Sequence, residues 1–398
     1  MGDRNQPLCT LVADDLTGAC DAAVQFAAFG HSATALLDWS LIGDCSSDVI
    51  AATTESRADA PADAAEKVAV LAGLLRRKQS RLVFKKVDSV LRGNLGSEIE
   101  ASLKAFDCEV CMIAPSFPSL GRRISGGWLT TASCDAAPTV HLPTLLERQG
   151  MTALVHIEGA GSAGGIGSLA ERLKDERSKG KRCFTFDAVS DSALDAVIAA
   201  AGSLGRRVLW VGSAGLARRL AEHSVGCGDG RVVRRPGPGN MTEGRTAVLL
   251  AIGSDHPVTL RQIDDLAACR EVVTVRPGAA DAKRAMQALR RGCAVILRVE
   301  PGRTAAEDLR GFLAGMEFPH TQGLVLSGGD TASLVCAALG AGSIRLEGEI
   351  ATGIPWGTIG GGTAHGVPAA TKSGGFGASD ALSRAVDFLS RCIQNPEA

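Results

Sequence analysis

The sequence predicts an α/β protein of two domains, each a mainly parallel sheet flanked by helices. Three observations carry this. Short apolar runs alternate with helical patterns along almost the whole chain, as in parallel sheets whose crossovers are helices. The alternation breaks once, in GCGDGRVVRRPGPGNMTEGRT at residues 226–246, where Gly, Pro and charge dominate, and then restarts. The length of 398 residues also exceeds what one hydrophobic core ordinarily serves. The domains are therefore expected at 1–235 and 246–398, joined by a linker, with an active site in the cleft between them.

In chain order, LCTLVA (8–13), SDVIAATT (47–54), RLVFKKV (81–87), EVCMIAP (109–115), ALVHI (153–157), RCFTFDA (182–188) and RVLWVG (207–212) read as strands of the first domain. Between them, segments such as ADAAEKVAVLAGLLRRK and SLAERLKDERSKG repeat apolar residues at three and four positions, the helical period. In the second domain AVLLAIG (247–253), EVVTVRP (271–277), CAVILRV (293–299) and GLVLSGG (323–329) continue the series. GEIATGIPWGTIGGG (348–362) and the start of ATKSGGFGASDALSRAVDFL (370–389) read as Gly-rich loops, the second just before an amphipathic helix. No strand is expected before Lys372, so GVPAATKS is not read as a P-loop.

Composition narrows the function. A net charge of −1, 4% aromatic residues and no tyrosine give no case for nucleic acid or a membrane surface as the main partner. No apolar stretch is long enough to span a bilayer. Twelve cysteines lie scattered through apolar runs, which suggests buried reduced thiols in a cytoplasmic protein. Cys108 and Cys111 form one C-x-x-C, and a zinc site would need a second. No protein metal-ligand set is assigned.

Ligands of parallel sheets bind beyond the carboxyl ends of the strands. There the first domain carries Asp14 and Asp15 in VADDLTGACD, then Lys85, Lys86, Asp88, Ser89, Arg92 and Asn94 in KKVDSVLRGNLGSE, and Arg122 in APSFPSLGRR. One acid in ADDLTG would suffice as a helix cap. Two adjacent acids repel, so a second role, handling a hydroxyl of a substrate, is expected of one of them. Arg92 beside Gly93 suits two-point contact with a carboxylate or phosphate.

In SGGDTASLVCAALG, Gly328 and Gly329 precede Asp330 and Thr331 at a helix start, where free N–H groups and the helix dipole suit a phosphate. Lys372, Ser373, Gly374 and Gly375 make a second candidate phosphate cradle. Ser254 and His256 stand at a third strand end. His256 is kept as a nucleotide contact, although a lone His there is more often a cap. A competing reading is a dinucleotide fingerprint at Gly159-x-Gly161-x-x-Gly164, with the next strand ending at Asp187. This motif belongs to the fifth strand of its domain rather than the first, and is weak in a chain of 48 glycines.

Together these stretches resemble the four-carbon acid sugar kinase family, over nearly the whole chain. VADDLTGACD, KKVDSVLRGNLGSE, APSFPSLGR and VGSAGLA are similar to motifs of that family's sugar-acid-binding domain. SGGDTASLVCAALG, GEIATGIPW and KSGGFG are similar to motifs of its nucleotide-binding domain. The segment after Arg122 is shorter than the family's, IGSDHP stands for SGSCS, and KSGGFG for KSGNFG. The resemblance implies phosphorylation of a threonate-, erythronate- or 3-oxo-tetronate-type acid by ATP. Asp15 or Asp14 would take the hydroxyl proton, and Arg92 and Lys86 would hold the substrate carboxylate. Gly328, Gly329, Thr331, Lys372 and Gly374–Gly375 would hold the phosphates, with Mg²⁺ on them. The alternatives are an NAD-dependent dehydrogenase using residues 159–164, or a protein that binds a sugar acid without turnover. Oligomeric state stays open, a symmetric homodimer being common among such enzymes.

Overall fold

The computed structural model describes residues 6–131, 140–160, 165–224, 248–300, 306–316, 318 and 323–392. The predicted linker at 226–246 lies outside the described residues. In chain order the elements are β1 (Cys9–Ala13), α1 (Leu16–Ala27), β2 (Ala33–Leu36), β3 (Val49–Thr53), α2 (Pro61–Arg76), β4 (Leu82–Lys86), α3 (Leu95–Ala105), β5 (Val110–Ala114), β6 (Arg122–Ser125), β7 (Trp128–Thr131), α4 (Leu142–Arg148), β8 (Leu154–Ile157), α5 (Gly165–Ser178), β9 (Cys183–Phe186), α6 (Asp191–Gly202), β10 (Val208–Gly212) and α7 (Ala214–Ser224). They continue with β11 (Val248–Ile252), α8 (Pro257–Cys269), β12 (Val272–Val275), α9 (Ala279–Arg290), β13 (Ala294–Arg298), α10 (Ala306–Ala314), β14 (Gly323–Ser327), α11 (Gly329–Leu339), β15 (Ser343–Ala351), β16 (Ile354–Gly360), β17 (Pro368–Lys372) and α12 (Ala381–Cys392).

The chain forms two compact units. One comprises Met1–Asp14, Phe29–His31 and Ile42–Arg231, the other Asp15–Ala28, Ser32–Leu41 and Val232–Ala398. The first holds strands in the order β3-β1-β4-β10-β5-β9-β8, all paired in parallel. Its central strands are covered on both faces, which is why CTLVA and VCMIA are almost continuously apolar and fully buried. A separate hairpin, β6–β7, follows β5.

The second unit runs β12-β13-β11-β14-β17-β16-β15-β2. The first five are parallel; β16, β15 and β2 extend them antiparallel. Helix α1 packs against β15, β2 and α11 in this unit. The structure corrects two expectations here. GEIATGIPWGTIGGG is no loop: it contributes to β15 and β16, which turn tightly through Thr352–Gly353, with Gly353 at φ 77°. A strand does precede Ser373, namely β17, and α12 begins only at Ala381, so Gly374–Gly375 do not open that helix. Among the described residues, no helix is long and apolar enough to cross a membrane.

Candidate active site

The strand register of the first unit gathers the chemistry at one sheet end. Ala13 pairs with Thr53 and Val12 with Lys85, so the segments leaving β1, β3 and β4 emerge side by side. Asp14 follows β1 and is buried. Arg57, in the segment after β3, forks onto it, Nε to Oδ2 at 2.7 Å and Nη2 to Oδ1 at 2.8 Å. Burial pushes the Asp14 carboxyl up, but Arg57, with Lys85 and Lys86 nearby, outweighs this and holds it below the usual carboxylate range. Asp14 is thus an ionised group, paired bidentately with Arg57.

Asp88 repeats the pattern. It accepts from Arg92 Nε at 2.8 Å, Arg92 Nη2 at 3.0 Å and the Arg92 backbone N–H at 3.2 Å. Burial again opposes ionisation, and Arg92, Arg57 and Lys86 override it, so Asp88 is held well below its ordinary pKa. The Arg92 fork is occupied by Asp88 while its side chain is 63% exposed. Lys86 is buried and donates to the Val87 carbonyl at 3.0 Å. Ser89 accepts from Arg122. Asn94 makes no cap: its Nδ2 donates to Ser56 O at 3.3 Å and Asp59 O at 2.9 Å, tying down the segment that carries Arg57.

Beneath this lies a network that sequence reasoning missed. Lys85 and Glu98 pair at 2.7 Å, Ser56 Oγ donates to Glu98 Oε1 at 2.7 Å, and Thr54 and Ser56 share a hydrogen bond at 2.6 Å. Arg57 could have been flagged, because it follows a strand run in ESRAD. Glu98 could not: an acid in the first turn of a helix looks like ordinary dipole compensation.

The second unit assembles the other set. Asp15 caps α1, its Oδ1 accepting from Gly18 N at 2.8 Å and its Oδ2 from Thr17 Oγ1 at 2.8 Å. The capping half of the sequence expectation is therefore realised. Ser373 Oγ lies 3.3 Å from Thr17 Oγ1. Gly329 packs so tightly on Asp15 that a Cβ there would overlap the carboxylate. Gly328 sits at φ 104°, open to glycine, and α11 begins with no side-chain cap. Its first N–H groups thus have no side-chain cap to satisfy them. Thr331 Oγ1 and Ser327 Oγ are buried without a partner among the described residues, and Asp330 is exposed. Ser254 Oγ accepts from His256 N at 3.2 Å, and a Cβ on Gly374 would strike Ser254. His256 caps α8, Nδ1 accepting from Val258 N at 3.2 Å, while its Nε2 would lie 3.2 Å from a Cβ on Gly375.

Lys372 is buried, and burial pushes its ammonium down to about 7. Its Nζ donates inward, to Thr259 Oγ1 at 3.1 Å and the carbonyls of Ser373, Gly374 and Phe376 at 3.1, 3.2 and 3.3 Å. Of the competing fingerprint, Gly161 and Gly164 lie outside the described residues. Asp187 is engaged by His156 Nε2 at 3.1 Å and by the N–H groups of Gly126 and Gly127 at 2.9 and 3.0 Å.

Two family patterns match the chain: a sugar-binding N-terminal domain over residues 9–220 and a nucleotide-binding C-terminal domain over residues 272–382. A D-threonate kinase of Bordetella bronchiseptica is 33% identical over 424 residues, covering 96% of this chain and 98% of that protein. The chain belongs to the four-carbon acid sugar kinase family. A D-erythronate kinase of Heliobacterium modesticaldum, 27% identical over 440 residues, covers 97% of this chain and 98% of its own. A solved Haemophilus influenzae structure shares the fold, with a TM-score of 0.68 and 20% identity over 96% of this chain and all of that one. Members of the four-carbon acid sugar kinase family are phosphotransferases acting on a hydroxyl group, and so is this protein.

Proposed function

We propose that the protein transfers the terminal phosphoryl group of ATP to a hydroxyl of a threonate-, erythronate- or 3-oxo-tetronate-type acid. The observation that carries this is Asp15, an acid packed against Gly329 in the uncapped first turn of α11. An acid at a phosphate-binding turn is unfavourable for binding alone, but suits a group that must receive a proton beside the phosphate. Both Asp15 oxygens accept hydrogen bonds, from Gly18 N and Thr17 Oγ1, which hold the carboxylate in place beside Gly329. Asp15 is therefore our choice for the base, and Asp14 for a positioning anion.

In the first unit, Arg57, Arg92, Lys85 and Lys86 surround Asp14, Asp88 and Glu98. With Arg122 beside Ser89, cations exceed acids there, which suits a substrate carboxylate. Lys86 has donors beyond its one carbonyl contact and is our choice for contacting it. ATP phosphates fit the second unit on two counts: the hydroxyls of Ser327 and Thr331, which have no partner among the described residues, and a glycine-lined surface at Gly328, Gly329, Gly374 and Gly375. Mg²⁺ bound together with the nucleotide would supply shielding of the charge that develops on the phosphates. Nine free cysteines among the described residues accord with a reducing, cytoplasmic setting.

The test is a coupled ADP-release assay over a panel of four-carbon acids with Mg²⁺ and ATP. Asp15→Asn should abolish turnover and leave ATP affinity within a few-fold. Normal turnover by that variant would remove Asp15 from the role, and release of ADP with no acid in the panel would remove the substrate class.

A further inference from the structure

The loop from Ser373 to Ala378 has its carbonyls gathered on one side. Gln262 Nε2 lies within reach of three of them, Phe376 O at 3.0 Å, Gly377 O at 3.1 Å and Ala378 O at 2.8 Å. Thr259 Oγ1 donates to Gly374 O at 2.7 Å. Lys372 Nζ adds the carbonyls of Ser373, Gly374 and Phe376. All three side chains are buried, and Thr259 and Gln262 stand one turn apart on α8, facing the loop together. Every carbonyl of the loop except that of Gly375 is therefore drawn to a buried donor. The N–H groups of Gly374 and Gly375 find no acceptor among the described residues.

A peptide whose C=O is fixed inward presents its N–H outward, because the two are antiparallel across a planar unit. We propose that Gln262 and Thr259 are positioning residues for nucleotide binding. Thr259 and Lys372, by anchoring the Ser373 and Gly374 carbonyls, aim the Gly374 and Gly375 amides at a phosphate, and Gln262, by anchoring the carbonyls of 376–378, fixes the following arm of the same loop so that those amides hold their direction. This rests on the assignment of that loop to ATP phosphates in the preceding subsection. Gln262 serves no other partner that would explain its burial: its Oε1 has none among the described residues. A group buried for its donor alone, at the expense of an unpaired acceptor, is there to fix geometry. An amide array set before the ligand arrives avoids the ordering cost of binding.

The experiment uses the full chain, with Gln262→Leu and Thr259→Val, both near the original shapes. ATP and sugar-acid KM, kcat, and the Kd of ADP by calorimetry are measured for each, beside thermal unfolding. Gln262→Leu should raise the ATP KM and ADP Kd about tenfold or more, with the sugar-acid KM within about twofold. Thr259→Val should do the same to a smaller extent. Gln262→Met, equally without the donor, should match Leu, whereas Gln262→Lys, which restores one, should recover part of the affinity. A lowered melting temperature with unchanged nucleotide affinity in both soluble variants would overturn the proposal and leave these residues as core packing. Failure of the wild-type protein to bind ATP or ADP would instead strike the function reading, so the two failures are distinguishable.

Discussion

Lys85 and Glu98 offer the sharpest energetic test of the first unit. Their side chains are 0% and 3% exposed and 2.7 Å apart, so neither charge can turn to water when the other is removed. Removing one partner of such a pair costs about 3–5 kcal/mol, because the remaining ion stays buried, whereas replacing both by apolar side chains of similar volume is close to neutral. Glu98→Leu would leave the Lys85 ammonium with the Lys86 carbonyl at 2.9 Å. Ser56 would lose its acceptor but keep Thr54 at 2.6 Å. With a urea m-value of about 2–3 kcal/mol/M, each single variant, Glu98→Leu or Lys85→Met, should lower the midpoint by about 1–2 M. The double variant should return to within about 0.5 M of wild type. Trp210 is the natural reporter: it is buried on β10 and pairs in register with Phe84, next to Lys85. Its fluorescence, followed with the other tryptophans replaced by phenylalanine, isolates this unit from the other, as a chain of two units requires. If the double variant falls as far as the singles, the uncompensated charge is not what the single substitutions expose, and the argument from burial fails.

Two further outcomes follow from the second unit. Gly329→Ala places a Cβ 3.1 Å from Asp15 Cγ and 3.2 Å from its Cβ; the displaced carboxylate should lower kcat by about 10- to 100-fold with little change in melting temperature, as a turnover assay and a thermal scan would register. Burial sets the folded Lys372 ammonium near 7 against an ordinary 10.5, so between those values the unfolded chain holds more protons and stability should rise with pH, a rise that Lys372→Met removes in denaturant midpoints measured from pH 6 to 10.

Much of the parallel framework was legible, because a strand covered on both faces has to be apolar at every position and so announces itself as a run. The antiparallel strands were not. In GEIATGIPWGTIGG the glycines that let β15 and β16 pack closely also imitate a loop, and a Cβ on Gly357 would overlap the Arg345 backbone. Likewise ATAL at β2 is too short to stand out, and acquires strand geometry by pairing with β15. Asp14, Asp15, Lys86, Asp88 and Ser89 could be picked out as polar residues at strand ends, where the fold offers few other reasons for them. Arg57, in ESRAD, escaped because an arginine between two acids reads as an ordinary solvated ion pair. Gln262 and Glu98 escaped for a deeper reason: a polar residue in a helix looks solvated until its tertiary partner is known. His256 went the other way, its sequence-level capping role being the one its Nδ1 performs.

The paired aspartates show why position along the chain is a poor guide to position in the fold. Asp14 is the last residue of one compact unit's first segment, and Asp15 opens the other's. Helix α1 then packs among β15, β2 and α11, so an acid encoded near the start of the sequence is structurally a neighbour of Gly329. Adjacent like charges are tolerated because each is neutralised by different means. Arg57 and two lysines hold Asp14 as an ion; Asp15 is satisfied by the N–H of Gly18 and the hydroxyl of Thr17 at a helix N-terminus, where the dipole favours a negative charge. A single acid could serve one of these environments but not both. The peptide between the two residues is where the chain passes from one compact unit into the other.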